Sequence, residues 1–235
     1  MVFRVGPEHT GAAKPFADLV GDSALEWLRS RGTRRLFRAS EVLFLEGEHT
    51  DDVLLLESGL VKVYVTAPGG AALILGLYGA GELLGEMSAV GWGERSASAT
   101  GHTPGTAIHL GGRQFRAFLQ QHPAALGHVL GVVQQRLRRA DQERLSYFAD
   151  DVAGRVARRL LSWAKVHGQA RANGAVAVCG MSCKELAQSV AASEKHVDDV
   201  LTAMRCAGLI TTGRRLFVLV DPERLHHWAE HRRPL

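Results

Sequence analysis

Cysteine is scarce in this sequence: Cys179, Cys183 and Cys206 are its only three, and none precedes residue 179. An odd number without an apolar secretory leader argues against a disulfide framework. Cys179-x-x-x-Cys183 lacks a second pair or a nearby histidine pair, which sets a zinc site aside. Two buried small hydrophobes and one surface thiol are expected instead. Long apolar runs are missing too. None approaches the roughly 18 residues of a membrane helix, so no spanning segment is expected. The first 22 residues include Arg4, Glu8, Lys14 and Asp18 and lack the apolar core of a signal peptide, which points to the cytoplasm. No nucleophile, base and orienting group converge in the pattern, so no enzyme is expected.

What is present is unevenly spread. The 235 residues are 46% hydrophobic and 22% charged, ordinary for a globular chain that can bury a core. Residues 1–150 carry 15 Lys+Arg against 16 Asp+Glu, and residues 151–235 carry 13 against 8. A near-neutral front and a basic tail point to a polyanion partner for the C-terminal part alone.

Asp22–Arg31 reads as a short helix with Leu25 and Leu28 on one face and Gly32 as its stop. From Thr33 to Gly112 short β-branched or Leu-rich segments follow: Val42–Leu45, Val53–Glu57, Leu60–Thr66, Leu73–Tyr78, Ala97–Thr100 and Thr106–Leu110. Gly, Pro and Asp punctuate them, the pattern of an antiparallel sandwich or roll. After a brief helix, Gln114–Gln120, a long one runs from about Pro123 to Ala149. Leu126, Leu130, Val133, Leu137 and Ala140 recur at intervals of 4, 3, 4 and 3, continuing through Arg144 to Tyr147. That seam suits two parallel copies of the helix packed on each other. A core-facing helix of a monomer is the alternative, but Arg136, Arg138, Arg139, Asp141, Gln142 and Glu143 leave only a narrow apolar stripe.

Beyond Asp151, Val152, Val156, Leu160 and Trp163 mark another amphipathic helix, followed by a polar loop over residues 168–174 and a strand, Ala175–Cys179. Ser182 with Glu185 three residues on is a capping-box pattern. Ala191-Ala192-Ser193 makes a turn, and Ser193 caps a second helix, Glu194–Ala207, built on Val197, Val200, Leu201 and Met204. A hairpin around Gly213-Arg214-Arg215 closes the domain. Two helices, a tight turn and a hairpin make a winged helix-turn-helix.

One further constellation carries chemistry: Gly85-Glu86-Met87-Ser88-Ala89, then Glu94-Arg95-Ser96-Ala97. Gly85 permits a tight turn into a short helix whose free N–H groups attract an anion. Arg95 could bring a guanidinium fork to the same anion, and Glu86 could accept from a sugar hydroxyl. The set describes a pocket for a cyclic phosphodiester with a ribose. On spacing alone, a first-turn acid and a surface Glu94–Arg95 pair are the simpler explanation.

Gly79–Ala97 resembles the phosphate-binding cassette of cyclic-nucleotide-binding domains, and Glu46-Gly47-Glu48 and Glu57-Ser58-Gly59-Leu60-Val61-Lys62-Val63 match that fold's glycine-punctuated strands. From about Asp22 onward the chain resembles the catabolite-activator/fumarate-nitrate-regulator (CRP/FNR) family. The resemblance implies an α+β architecture: an N-terminal leader over 1–22, a double-layer β-roll over 23–121, a dimerisation helix over 122–149 and a winged helix-turn-helix over 150–235. It implies ligand contacts from Gly85, Glu86, Arg95 and Ser96. The family's adenine-touching Thr-Ser pair falls here on Ala140, which offers no hydrogen bond, and Asp141, which only accepts. A cyclic nucleotide, cAMP or cGMP, is the candidate effector, and no other cofactor is implied. Iron–sulfur sensing in relatives needs an N-terminal cysteine cluster that this chain lacks.

Double-stranded DNA and a second copy of the chain are the implied partners, with RNA polymerase a further candidate and no membrane. Ser182, Lys184, Ser193, Glu194, Lys195, His196, Asp199, Arg214 and Arg215 fall on the DNA-facing positions, with Arg205 and Arg171 as further backbone anchors. The family's usual Arg-Glu after the capping serine, and its later Arg, are here Glu194, Lys195 and Asp199. Carboxylates on a reading helix meet phosphate repulsion, although they can accept from cytosine amino groups. A second reading is therefore a ligand-sensing adaptor that has lost sequence-specific DNA binding. A third, a small cupin-type metalloenzyme using His49, His102 and His109, lacks the His-x-His pair and spaced Glu it requires.

Overall fold

The structure, a computed structural model, describes residues 14–91 and 93–230. The first 13 residues of the leader expected over 1–22 thus lie outside the described residues. The remainder is not a bare polar leader. Helix α1 (Phe16–Val20) places Phe16 in the core, and α2 (Asp22–Arg31) follows, seating Ala24 and Leu28.

Eight strands come next: β1 (Thr33–Phe37), β2 (Val42–Phe44), β3 (Val53–Ser58), β4 (Val61–Thr66), β5 (Ala72–Tyr78), β6 (Leu83–Leu84), β7 (Ser98–Gly101) and β8 (Gly105–Leu110), with the short helix α3 (Glu86–Gly91) between β6 and β7. They form two antiparallel four-stranded sheets, ordered β1-β8-β3-β6 and β2-β7-β4-β5. The buried run Val53-Leu54-Leu55-Leu56 shows why the layers hold. Successive side chains of a strand point to opposite faces. Val53 and Leu55 join Phe16, Leu28, Phe115 and Phe118 under the helices, while Leu54 and Leu56 join Phe37, Phe44, Tyr78 and Leu84 between the sheets. A strand with a core on each side must be apolar throughout.

Helix α4 (Gly112–Gln121) leads into α5 (Pro123–Ala149), which starts on Pro123, where a missing N–H costs nothing. α5 has two apolar faces. Ala125, Val129 and Val132 pack on the roll, while Leu126, Leu130 and Leu137 stand exposed. Toward its end Leu145, Tyr147 and Phe148 are all exposed, so the exposed apolar face there is wider than the expected Arg144–Tyr147 continuation of the seam. The Arg155 guanidinium lies 5.3 Å over the Tyr147 ring.

The last unit comprises α6 (Val152–His167), β9 (Gln169–Ala170), β10 (Val176–Cys179), α7 (Cys183–Ser189), α8 (Glu194–Cys206), β11 (Ile210–Gly213), β12 (Leu216–Leu219) and α9 (Pro222–Glu230). Its sheet runs β11-β12-β10-β9. The hairpin does not close the domain as expected. α9 follows and buries Leu225 and Ala229 in the same core as Leu160, Trp163, Leu186, Leu201 and Phe217. The cysteines also differ from expectation: Cys179, at the end of β10, and Cys206, at the end of α8, are exposed, and Cys183, which begins α7, is half-buried.

Candidate ligand pocket and nucleic-acid interface

A cavity of about 350 Å³ opens between the β4–β5 hairpin, α3 and the middle of α5. Of the residues expected there, Gly85, Glu86, Arg95 and Ser96 line it, and so does Ala140; Asp141 does not. Asp141 is turned outward on α5 and pairs with Arg144 at 3.1 Å. Leu137 and Val133, members of the 4,3 seam, form part of the cavity wall.

Gly85 adopts φ +85° and is irreplaceable on packing grounds as well. A Cβ there would stand 2.4 Å from Arg95 Nη1 and 2.5 Å from the Asp52 carbonyl oxygen. Arg95 is accordingly no surface partner of Glu94, which pairs with His49 instead. Only 3% of Arg95 is exposed. Its Nε donates to Thr50 Oγ1 at 2.8 Å, and Nη1 donates to Ser88 Oγ at 2.8 Å and the Gly85 carbonyl at 3.2 Å. Nη2 donates to the carbonyl and the carboxylate of Asp52, both at 2.8 Å. The guanidinium also lies 4.3 Å over the Phe44 ring.

Glu86 is fully buried at the cavity wall. Arg136 reaches it from α5, donating through Nη1 to Oε1 at 2.5 Å and through Nη2 to the Leu83 carbonyl at 2.6 Å. The second oxygen, Glu86 Oε2, is buried without a partner, and so is Arg136 Nε. Burial pushes the neighbouring Tyr78 phenol up, against the pull of Arg136, which sits 4.8 Å over its ring. Arg136, Thr50 and Asp52 were not identified from sequence. Arg136 left a trace, falling three residues after Val133 and four before Ala140, inside the apolar stripe. Thr50 and Asp52 left none, being 45 and 43 residues from Arg95 in sequence.

The second region is the helix pair. Ser182 accepts from the Glu185 backbone N–H at 3.1 Å while the Glu185 carboxylate accepts from the Ser182 N–H at 3.1 Å, the reciprocal cap expected. Ser193 accepts from the His196 N–H at 3.2 Å and starts α8. Both serines are thus engaged in building the helices. Glu194, Lys195, His196, Asp198 and Asp199 are exposed on α8, and Lys184 is exposed on α7. Arg214 stands exposed at the wing tip. Arg215 donates to Glu185 Oε2 at 3.2 Å, and Arg205 braces Thr202 and Thr212, so neither is wholly available to a phosphate.

Glu185 also ties this unit to the roll. Lys62 Nζ of β4 lies 3.3 Å and His102 Nδ1 3.5 Å from its Oε1. Burial would raise this carboxyl, but hydrogen bonds from His102 and Ser182, with the His102 charge, together hold it well below the usual carboxylate range. A group whose pKa is depressed on folding stabilises above its ordinary pKa, and that contribution is lost as pH falls toward the folded value. The packing of head on roll is therefore expected to loosen progressively as pH falls below about 5 in the wild type. Glu185→Gln should flatten that acid dependence at a cost of about 1–3 kcal/mol near neutrality. Limited proteolysis of the unit boundary across a pH series measures both. Behind this contact, Arg158 pairs with Asp150, and Arg159 bridges Glu143 at 2.7 Å and the Ser189 carbonyl at 2.8 Å, fastening α6 to α5 and α7.

The three roll histidines go to three separate carboxylates: His49 to Glu94, His102 to Glu185 and His109 to Asp52. Among the described residues no group of three or more His, Cys, Asp or Glu could hold a metal ion, and no helix is long and apolar enough to cross a membrane.

Two family models match the chain: a cyclic nucleotide-binding domain over residues 34–122 and a Crp-like helix-turn-helix domain over residues 154–228. In sequence it is similar to the CRP-like cAMP-activated global transcriptional regulator of Mycobacterium tuberculosis, with 30% identity over 189 residues, 80% of this chain and 84% of that protein. It is also similar to the cyclic AMP receptor protein of Thermus thermophilus, 30% identical over 180 residues, 77% of this chain and 80% of that one. In fold it resembles the c-di-GMP-responsive global regulator CLP of Xanthomonas campestris, with a TM-score of 0.75 at 21% identity, covering 84% of this chain and 98% of that one.

Proposed function

The chain belongs to the CRP/FNR family of transcription regulators, and from that premise we propose that it acts as a homodimer whose two DNA-reading heads are set by a cyclic nucleotide in the roll cavity. The observation that carries the effector is Glu86 Oε2, a buried acceptor without a partner on the wall of a cavity of about 350 Å³. An unpaired buried oxygen of a carboxylate is costly, and a ribose hydroxyl would satisfy it. The volume suits a mononucleotide, since small-molecule sites start near 300 Å³. The relatives named as cAMP-activated support the same class of ligand.

The exposed apolar seam of α5 supports the dimer. In such a dimer Asp141, turned away from its own cavity and beside the seam, would meet a base held by the other copy. Cytoplasmic action on double-stranded DNA follows from this reading, with RNA polymerase as a candidate further partner and no catalytic role for any residue. Gly85, Glu86, Arg95 and Ser96 would hold the ligand. Lys195, His196, Glu194 and Asp199 would face base edges, and Lys184 and Arg214 would face phosphates.

Selection from a random-sequence DNA pool, with and without cAMP or cGMP, tests the whole reading. Enrichment of a two-fold site with half-sites about one helical turn apart is expected, and more strongly with effector. Enrichment of nothing under any condition would favour the adaptor, the reading that Glu194, Asp198 and Asp199 motivate. On an enriched site, Arg214→Ala should weaken binding to all sequences alike and make the salt slope shallower by roughly one unit per reading head. Arg215→Ala should do less, because Glu185 already holds that guanidinium. Equal effects of the two would show that Arg215 leaves Glu185 on DNA.

A further inference from the structure

The Arg95 guanidinium has five N–H donors, and this structure supplies five acceptors: Thr50 Oγ1, Ser88 Oγ, the Gly85 carbonyl, the Asp52 carbonyl and Asp52 Oδ1. A phosphodiester entering the cavity therefore finds the cation in place but fully engaged. Of the five acceptors only Asp52 Oδ1 carries charge, and it already neutralises Arg95 at 2.8 Å. Its other oxygen, Oδ2, is 3.1 Å from His109 Nε2 on β8. Arg95 itself cannot move aside to meet a ligand. Its side chain is 1% exposed, with Phe44 over one face and Gly85 packed against Nη1. Asp52 is the member that can yield, because 24% of its side chain is exposed, on the side of Arg95 away from the cavity lining, and His109 offers its carboxylate a second anchor.

We propose that Asp52 is an internal counter-ion that occupies Arg95 in place of the ligand's phosphate, so that an anion gains Arg95 only by displacing the Asp52 carboxylate. The proposal rests on the cyclic-nucleotide reading only for the identity of the anion. Two anions on one buried guanidinium repel each other, and the ligand's affinity is lowered by whatever the Arg95–Asp52 pair contributes. Asp52 thus sets the effector concentration at which the cavity fills.

Asp52→Asn tests this with little change of shape. The amide oxygen can still accept from Arg95 and the amide nitrogen can donate to neutral His109. Two ligands are titrated against the full-length wild type, D52N and D52N/R95Q: inorganic phosphate, followed by the rise in melting temperature, and cAMP or cGMP, followed by calorimetry. In D52N both should bind about tenfold more tightly, the usual effect of removing one like charge at this range. In D52N/R95Q the gain should vanish, which separates the cavity from phosphate held by the basic reading head. Asp52→Ser serves as a second variant and should move binding in the same direction.

Unchanged or weaker binding in D52N and D52S would overturn the proposal and make Asp52 a prop that positions Arg95. Should phosphate gain in D52N while no cyclic nucleotide binds either protein, the counter-ion stands and the effector reading fails. If cyclic nucleotides bind the wild type and D52N equally, the effector reading stands and the counter-ion fails. Binding of neither ligand to any form removes both.

Discussion

Leu137→Glu is expected to yield a folded monomer of 25.4 kDa, whereas the wild type is expected at twice that mass. Leu137 is 58% exposed in the single chain and lies in a row with Leu126 and Leu130, so the substitution costs the isolated fold little. In a parallel pair the same position meets its own copy across the seam. Two leucines lose their burial and two carboxylates face each other in a dry interface. Together these cost on the order of 4 kcal/mol or more, at least a thousandfold in the dimer dissociation constant. DNA affinity should fall as well, because a monomer reaches one half-site. Leu137 also walls the cavity, so the monomer should hold ligand less well. Light scattering at micromolar concentration with far-UV circular dichroism reads the outcome. A wild-type mass of 25.4 kDa would refute the dimer, and an unfolded mutant would show that α5 depends on that face within one chain.

The second large effect is expected from one methyl group. Gly85→Ala must hold φ +85° with a side chain and place its Cβ inside contact distance of Arg95 Nη1 and the Asp52 carbonyl. The backbone term alone is about 1 kcal/mol. The collision adds about 1–3 kcal/mol and can be relieved only by moving the guanidinium or the turn. Either shift takes Arg95 out of register with the cavity, so cyclic-nucleotide affinity should drop about a hundredfold. Gly70→Ala separates the two causes. Gly70 has φ +81° in the β4–β5 turn, and a Cβ there meets nothing within 4 Å. It should lower the melting temperature slightly and leave ligand affinity alone. Comparable ligand loss in both variants would mean that backbone strain, rather than the Arg95 contact, accounts for the role of Gly85.

Local pattern by itself determined the order of parts. Short β-branched or Leu-rich segments punctuated by Gly, Pro and Asp, a seam spaced 4 and 3, and a serine followed three residues later by glutamate each arise from contacts within a few turns of chain. Burial or hydrogen bonding must satisfy them wherever the segment goes. For that reason the roll, the long helix and the capped helix pair were legible, and so were Gly85, Glu86, Arg95 and Ser96 as neighbours within one short stretch. Elements of two residues such as β6 and β9 were not, since two residues carry no period. α9 was passed over because its apolar residues, Leu225 and Ala229, are few and follow what reads as a closing hairpin.

Only the tertiary structure decided what the site residues face. Nothing near Arg95 in sequence foretells that Thr50 and Asp52 will take up its donors, or that Arg136 will cross from α5 to Glu86 and leave one oxygen unpaired. The same holds for Glu185, whose role as a helix cap was plain while its contacts to Lys62 and His102 were not. The physical reason is common to all three. A charge buried far from water must find its partners in space, and those partners come from whichever strands and helices the fold brings together, at sequence separations over which local pattern carries no information.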